Sequence, residues 1–168
     1  NMSLLKLYPS MRDPEDQSFE VSVQGYSENT LNPAMPDTSS ILENVIDDLC
    51  KVFPGEYIHL GADEIAPGAW SESPLVDALK AKHNLENSKD VASWFINKLS
   101  RRIESNNKKA AAWQEAEDGH HHDEKTDKLL FSWQNLESGL NLARQGYKVV
   151  LCPAEHIYFD MVQSRNYA

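Results

Sequence analysis

Residues 56–70 read EYIHLGADEIAPGAW, and the rest of the chain is interpreted from this segment outward. The mainly apolar run at 57–60 ends at Gly61, a pattern that predicts a buried strand of an α/β protein rather than a helix. Asp63 and Glu64 follow at the carboxyl end of the predicted strand, where parallel α/β folds build their active sites. The stretch therefore predicts one strand and two candidate site residues.

An adjacent pair of acids has two interpretations, and the more common one is a solvated loop. Here the context favours a site, because a strand leads into Asp63 and Glu64, small residues precede them and Trp70 follows. In a fully extended chain the two carboxylates would point to opposite faces, so they can serve one ligand only if the backbone bends. Gly61 makes such a bend inexpensive.

The rest of the chain alternates between predicted strands and helices. The predicted strands are 56–60, 109–113, 129–133 and 148–152. The predicted helices run from Thr38 or Ser39 to Phe53, from Ser73-Pro74 to Lys82, from Ser88 to Ile103, and from Leu136 to Gly146. Only the polar link from Gln114 to Lys128 lacks a predicted helix. This alternation predicts parallel strands joined by crossover helices.

Composition narrows the class of function. The chain has 168 residues and a net charge of -10, with 25% charged and 40% hydrophobic residues, as expected for one globular domain. The acidity argues against a nucleic-acid partner, which needs clustered Lys and Arg. No apolar run approaches the length of a membrane-spanning helix. A neutral sugar remains compatible with all of these features.

Histidines suggest a metal site only superficially. Neighbouring side chains at His120, His121 and His122 do not converge well on one ion, and no Cys or His motif completes a tetrahedral site. We therefore predict a solvated turn there and no metal. His59, just before the acidic pair, is predicted to be a buried, hydrogen-bonded histidine rather than a catalytic group.

Aromatic residues follow the later strands. Trp113 and Trp133 end two successive predicted strands, and Tyr158 lies just past the next one. A single tryptophan at a strand end could simply cap the core. Two at equivalent positions, with a tyrosine beyond, favour a pocket wall suited to the apolar faces and methyl group of an N-acetylated sugar. Glu115 and Glu117 are interpreted as surface charges.

The motif HLGADE at 59–64, followed by GAW at 68–70, resembles the signature of the β-N-acetylhexosaminidases, and specifically the bacterial chitobiase-like exo-enzymes of that glycoside hydrolase family. The segments DPEDQS, SVQ, LNP, AAWQE, FSWQN and IYFDM agree with it, so the resemblance runs from about Asp13 to Asp160. Many members have Gly where Ala62 stands. The resemblance implies that residues 1–168 are a single fragment of a (β/α)8 catalytic domain and supply its fourth to seventh strands, since a complete barrel takes about 250 residues.

The resemblance also implies a chemistry. Such enzymes release terminal non-reducing β-linked N-acetylhexosamine from chitobiose-type oligosaccharides with retention, using the substrate's own 2-acetamido oxygen as the nucleophile. Glu64 would be the general acid and then the base, and Asp63 would orient the acetamido group. Matching tryptophans, Trp113 and Trp133, would enclose the acetamido methyl, while Tyr158 would donate to its carbonyl and Asp160 would hold sugar hydroxyls. No metal or organic cofactor is implied.

Two other interpretations stay open from the sequence. One is a sugar-binding module that uses the tryptophans without hydrolysis, although a lectin has no need of a protonated carboxyl at Glu64. The other is a piece of the enzyme that neither binds nor cleaves. We expect the isolated fragment to be inactive and to self-associate through exposed barrel edges, because unpaired strand edges recruit other chains.

Overall fold

One parallel sheet organises the chain in a computed structural model that describes residues 2–20, 22, 25, 30–117 and 127–160. Its strands are β1 (Tyr57–His59), β2 (Lys109–Trp113), β3 (Leu129–Ser132) and β4 (Lys148–Leu151). They pair in the order β1-β2-β3-β4, so spatial order equals chain order and each crossover joins neighbouring strands. The predicted parallel α/β arrangement is confirmed.

The described residues also form six α-helices and two 3₁₀ helices. The α-helices are α1 (Met2–Leu7), α2 (Pro36–Val52), α3 (Pro74–His83), α4 (Ser88–Ser105), α5 (Leu136–Arg144) and α6 (Ala154–Ile157). The 3₁₀ helices are Pro9–Met11 and Gln114–Ala116. Within the described ranges, none of the helices has both the length and the apolarity needed to span a bilayer.

The two faces of the sheet differ in what covers them. Side chains on one face, including Ile58 and Leu130, are buried in clusters that contain residues of α2, α4 and α5. The opposite face carries three aromatic rings, those of His59, Trp113 and Phe131, with centroids 5.0–6.0 Å apart. We call this second face the open face. The acidic pair follows β1 at the carboxyl edge of the sheet, close to the open face.

Helix starts show where local sequence rules held and where they did not. Ser73 is the predicted N-cap of α3, and its Oγ accepts a hydrogen bond from the Val76 amide at 3.2 Å. The predicted cap of α2 at Thr38 or Ser39 is wrong, because Pro36 occupies the first turn and Met35 takes the cap position without a side-chain bond. Thr38 instead lies in the first turn of α2, and its side chain is fully buried.

The proline-rich N-terminal loop is held firmly against the turn that follows the acidic pair. The Trp70 indole donates to the Leu31 carbonyl at 3.1 Å, and the Ser73 hydroxyl donates to Asp13 at 2.6 Å. Trp70 is only 5% exposed. Trp70 therefore lines a cavity that Asp63 and Glu64 also line, and its indole anchors the N-terminal loop beside them.

Gly68 permits the closest approach between that loop and the turn. Its φ is +83°, and a Cβ there would lie 2.5 Å from the Phe19 carbonyl oxygen. Gly68→Ala is therefore expected to lower the free energy of unfolding by about 2–4 kcal/mol, from left-handed strain plus the clash.

Gly146→Ala is the matched control in urea unfolding. Gly146 has φ +90° but nothing within 4 Å of a built Cβ, so only the conformational cost of about 1–2 kcal/mol applies. Equal losses for the two variants would contradict a tight contact at Phe19.

Candidate active site

The backbone turns sharply as it leaves β1. The φ angles of Gly61, Ala62 and Glu64 are +75°, +74° and +49°, which places all three residues in the left-handed region. Non-glycine residues held there cost about 1–3 kcal/mol each and are concentrated at functional sites. The predicted bend is thus present, and it leaves the Asp63 side chain exposed and Glu64 half-buried at the carboxyl edge of the sheet.

The acidic pair adjoins two cavities. Glu64 lines a cleft of about 880 Å³ together with Glu115 and Trp133, and this cleft continues between α4 and α5. Asp63 and Glu64 both line a second cavity of about 420 Å³, which they share with His59. Each volume lies within the range of small-ligand sites. Glu64 therefore borders both cavities, whereas Asp63 borders the smaller one.

The predicted aromatic residues make ring contacts in two groups. Trp133 and Tyr158 stack with centroids 6.4 Å apart and planes inclined by 17°. Trp113 instead meets His59 edge-on at 5.3 Å. Burial raises the pKa of the Tyr158 phenol, and the negative charges near it, including Asp160 and Asp63, add to this effect. Asp160 itself is exposed beyond α6.

Gln114 joins the ends of β2 and β3. Its Oε1 accepts from the backbone amides of Trp133 at 2.9 Å and Gln134 at 3.1 Å, and from the Ser132 hydroxyl at 3.1 Å. These bonds keep the ends of β2 and β3 aligned beyond Trp113 and Phe131, the last paired residues of the two strands. The glutamine after Trp113 thus fixes the backbone that carries the next tryptophan.

Glu115 is a site residue that the sequence interpretation missed. It is half-buried, and the Trp133 indole Nε1 donates to its two carboxylate oxygens at 3.0 and 3.3 Å. Burial raises the pKa of Glu115, bonds from its own amide and from Trp133 oppose the rise, and the charges of Asp63 and Glu64 add to it. The available signal was its position two residues past the carboxyl end of β2, at the same edge of the sheet as the acidic pair.

Glu117 carries a partly exposed charge, as predicted, and this charge is paired. Its carboxylate pairs with Lys89 of α4, and its backbone carbonyl accepts from Ser93 at 2.8 Å. Both contacts tie the chain after β2 to the helix layer. Glu117 therefore lines the cleft while it connects the end of β2 to α4.

His59 is hydrogen-bonded as predicted but not buried. Its Nδ1 accepts the Gly61 amide hydrogen at 3.0 Å, an arrangement that needs the neutral ring with the proton on Nε2. The ring is exposed because it lies on the open face of the sheet, with aromatic neighbours on one side only. Partial desolvation lowers the pKa of His59, while the charge of Asp63 opposes this shift. The hydrogen bond from the Gly61 amide therefore connects the His59 ring to the bend at 61–64.

In the part of the chain that the structure describes, no group of three or more His, Cys, Asp or Glu side chains could hold an ion. The predicted solvated turn at His120, His121 and His122 lies outside the described residues.

Comparison with known proteins places this geometry in a family. The family model described as glycosyl hydrolase family 20, catalytic domain, matches residues 2–168. The Vibrio furnissii beta-hexosaminidase is 35% identical over 153 residues, which are 90% of this chain and 24% of that protein. The Vibrio vulnificus beta-hexosaminidase is 30% identical over 90% of this chain and 20% of its own length.

Solved structures give the same result. The Vibrio harveyi GH20 exo β-N-acetylglucosaminidase, in complex with N-acetylglucosamine, superposes with a TM-score of 0.86 at 32% identity, over 96% of this chain and 25% of that one. The Flavobacterium johnsoniae chitobiase gives 0.74 at 25% identity, over 91% and 24%. The chain thus spans about a quarter of the length of these relatives, and its four parallel strands are part of a (β/α)8 barrel. It belongs to glycosyl hydrolase family 20 and matches the catalytic domain of that family.

Proposed function

We propose that this chain supplies the acid and the acetamido-orienting carboxylate for hydrolysis of terminal non-reducing β-linked N-acetylhexosamine. The observation that supports this most directly is the left-handed bend at 61–64, which presents two adjacent carboxylates at the carboxyl edge of β1 beside an aromatic stack. Two neighbouring acids cannot bracket a glycosidic bond from opposite sides, so a nucleophile from the substrate fits this arrangement better than one from the protein.

The reaction then has two steps. In the first, the Glu64 carboxyl gives its proton to the glycosidic oxygen as that bond breaks, and the 2-acetamido oxygen forms a bond to C1. Asp63 accepts a hydrogen bond from the acetamido N–H and stabilises the cyclic oxazolinium cation. In the second step water attacks C1, its proton passes to the Glu64 carboxylate, and the acetamido group is restored with the β-configuration retained.

Substrate contacts follow from the remaining predicted residues. The stacked rings of Trp133 and Tyr158 offer a flat apolar surface with a hydroxyl at its rim, and Trp113 lies one strand away. We assign the tryptophans to the acetamido methyl and sugar faces, and Tyr158 to the acetamido carbonyl. Asp160, exposed beyond α6, is assigned to the sugar hydroxyls.

A sugar-binding module without hydrolysis is the second candidate, because the same stack would serve a lectin. Turnover by the full-length gene product on chitobiose discriminates between the two. Hydrolysis that depends on Glu64 supports the enzyme, whereas binding without hydrolysis supports the module.

We further expect the 168-residue chain to self-associate and to lack measurable hydrolysis. Neither β1 nor β4 has a second strand partner among the described residues, and Val150 and Leu151 of β4 are 36% and 47% exposed. Such edges pair with other chains. Sedimentation should show oligomers, and Val150→Lys should shift them towards monomer. A monomeric wild-type chain that hydrolyses a chromogenic N-acetylglucosaminide would contradict this expectation.

A further inference from the structure

Glu115 lies where it can control the orientation of Trp133. The second 3₁₀ helix, Gln114–Ala116, begins directly after β2 and is anchored by Ala116, which is 2% exposed. This tight turn brings the Glu115 carboxylate to the indole Nε1 of Trp133, on the neighbouring strand end, at 3.0 Å. Because the acceptor can carry a charge, this bond is stronger than one between neutral groups.

Trp133 is held at three independent points. Gln114 accepts the Trp133 backbone amide at 2.9 Å, Glu115 accepts the indole hydrogen, and Tyr158 covers one ring face with planes 17° apart. The backbone bond fixes where the side chain starts, and the stack fixes the direction of the ring normal. A half-turn of the ring about χ2 would keep its plane but move Nε1 to the other edge, and among the described contacts the bond to Glu115 selects the edge that faces the turn after β2.

Other carboxylates nearby make this contact more informative. Asp63 and Glu64 are close enough to act on Glu115 electrostatically, and a third acid at this edge adds repulsion. Glu117, two residues later, is turned to Lys89 instead. The Trp133 indole N–H stabilises this third acid against that repulsion, so the contact links the position of the Glu115 carboxylate to the orientation of the Trp133 ring.

We infer that Glu115 is a positioning residue, which acts through the Trp133 indole N–H to hold that ring in the orientation that receives the face of an N-acetylated pyranose. The sugar-binding half of this inference rests on the proposed function. The positioning half does not, because it concerns a contact within the protein alone.

The first test follows the indole hydrogens of the 168-residue chain by NMR. In Glu115→Ala, solvent exchange of the Trp133 indole hydrogen should accelerate about tenfold or more, as expected when a bond to a charged acceptor is lost. Glu115→Gln keeps an acceptor oxygen and should stay within about threefold of the wild-type rate. The matched control, Glu117→Ala, removes an acid from the same turn without touching Trp133. Unchanged exchange in Glu115→Ala would overturn the inference.

The second test measures N-acetylglucosamine affinity in the full-length gene product by calorimetry. Glu115→Ala should weaken binding about tenfold, and Glu115→Gln should restore most of it. In a Trp133→Phe background, which keeps a ring but no N–H, Glu115→Ala should change affinity less than about twofold. An equal loss in both backgrounds would show that Glu115 acts on the sugar directly and would overturn the positioning role. A wild-type protein that binds no sugar would refute the proposed function, while the exchange test still decides the contact.

Discussion

Glu64→Gln is expected to lower turnover on chitobiose by about 10²–10⁴-fold in the full-length gene product, with little change in substrate binding. Glutamine keeps the size and hydrogen-bonding shape of the side chain but cannot give a proton to the glycosidic oxygen. The loss should therefore fall on kcat and leave KM nearly constant, since the interaction is made only in the transition state.

The leaving group provides an internal check on this assignment. An activated aryl group departs without much protonation, so the loss on an aryl N-acetylglucosaminide should be much smaller than the loss on chitobiose. Glu56→Gln is a suitable control, because Glu56 is an exposed acid at the opposite end of β1, paired with Lys109. Near-normal turnover of Glu64→Gln on the sugar leaving group would end the role of Glu64 as the acid.

Much of the scaffold was predictable because it depends on local pattern. The apolar runs that became β1 to β4 are bounded by turn residues, and each predicted strand lies within two residues of the observed one at each end. The bend after β1 was predictable for a similar reason, since Gly61 is a local signal. The motif at 59–64 then allowed both the family and the barrel to be expected from the sequence alone.

What could not be predicted depends on contacts between distant segments. Glu115 looks like any acid after a strand, and only the approach of Trp133 from the next strand reveals its role. Trp70 lines a cavity with the carboxylates, but its hydrogen bond to the Leu31 carbonyl of the N-terminal loop could not be read from local pattern. His59 has the predicted hydrogen bond, whereas its exposure depends on what covers the open face. The local sequence pattern specifies the strands and helices, whereas contacts between segments distant in sequence decide the roles of individual side chains.

Asp63→Asn is expected to reduce turnover on N-acetylated substrates by about 10²–10³-fold, the usual cost of removing one preorganised electrostatic contact to the transition state. The physical reason is the positive charge that develops on the oxazolinium ring. Asparagine can still hydrogen-bond the acetamido group, but it offers no negative charge to balance that cation. Asp77→Asn is the matched control, since Asp77 is an exposed acid on α3 that pairs with Lys80.

Two further measurements decide whether the acetamido group is the nucleophile. A thiazoline inhibitor resembles the cyclic intermediate, so it should bind the wild-type gene product tightly and bind Asp63→Asn much more weakly. Mass spectrometry of the enzyme quenched during turnover should reveal no glycosyl ester, because on this route the sugar is never bonded to the protein. An ester trapped on Asp63 or Glu64 would refute the substrate-assisted mechanism. It would instead require a carboxylate within bonding distance of C1, a geometry that an adjacent pair on one side of the bond does not provide.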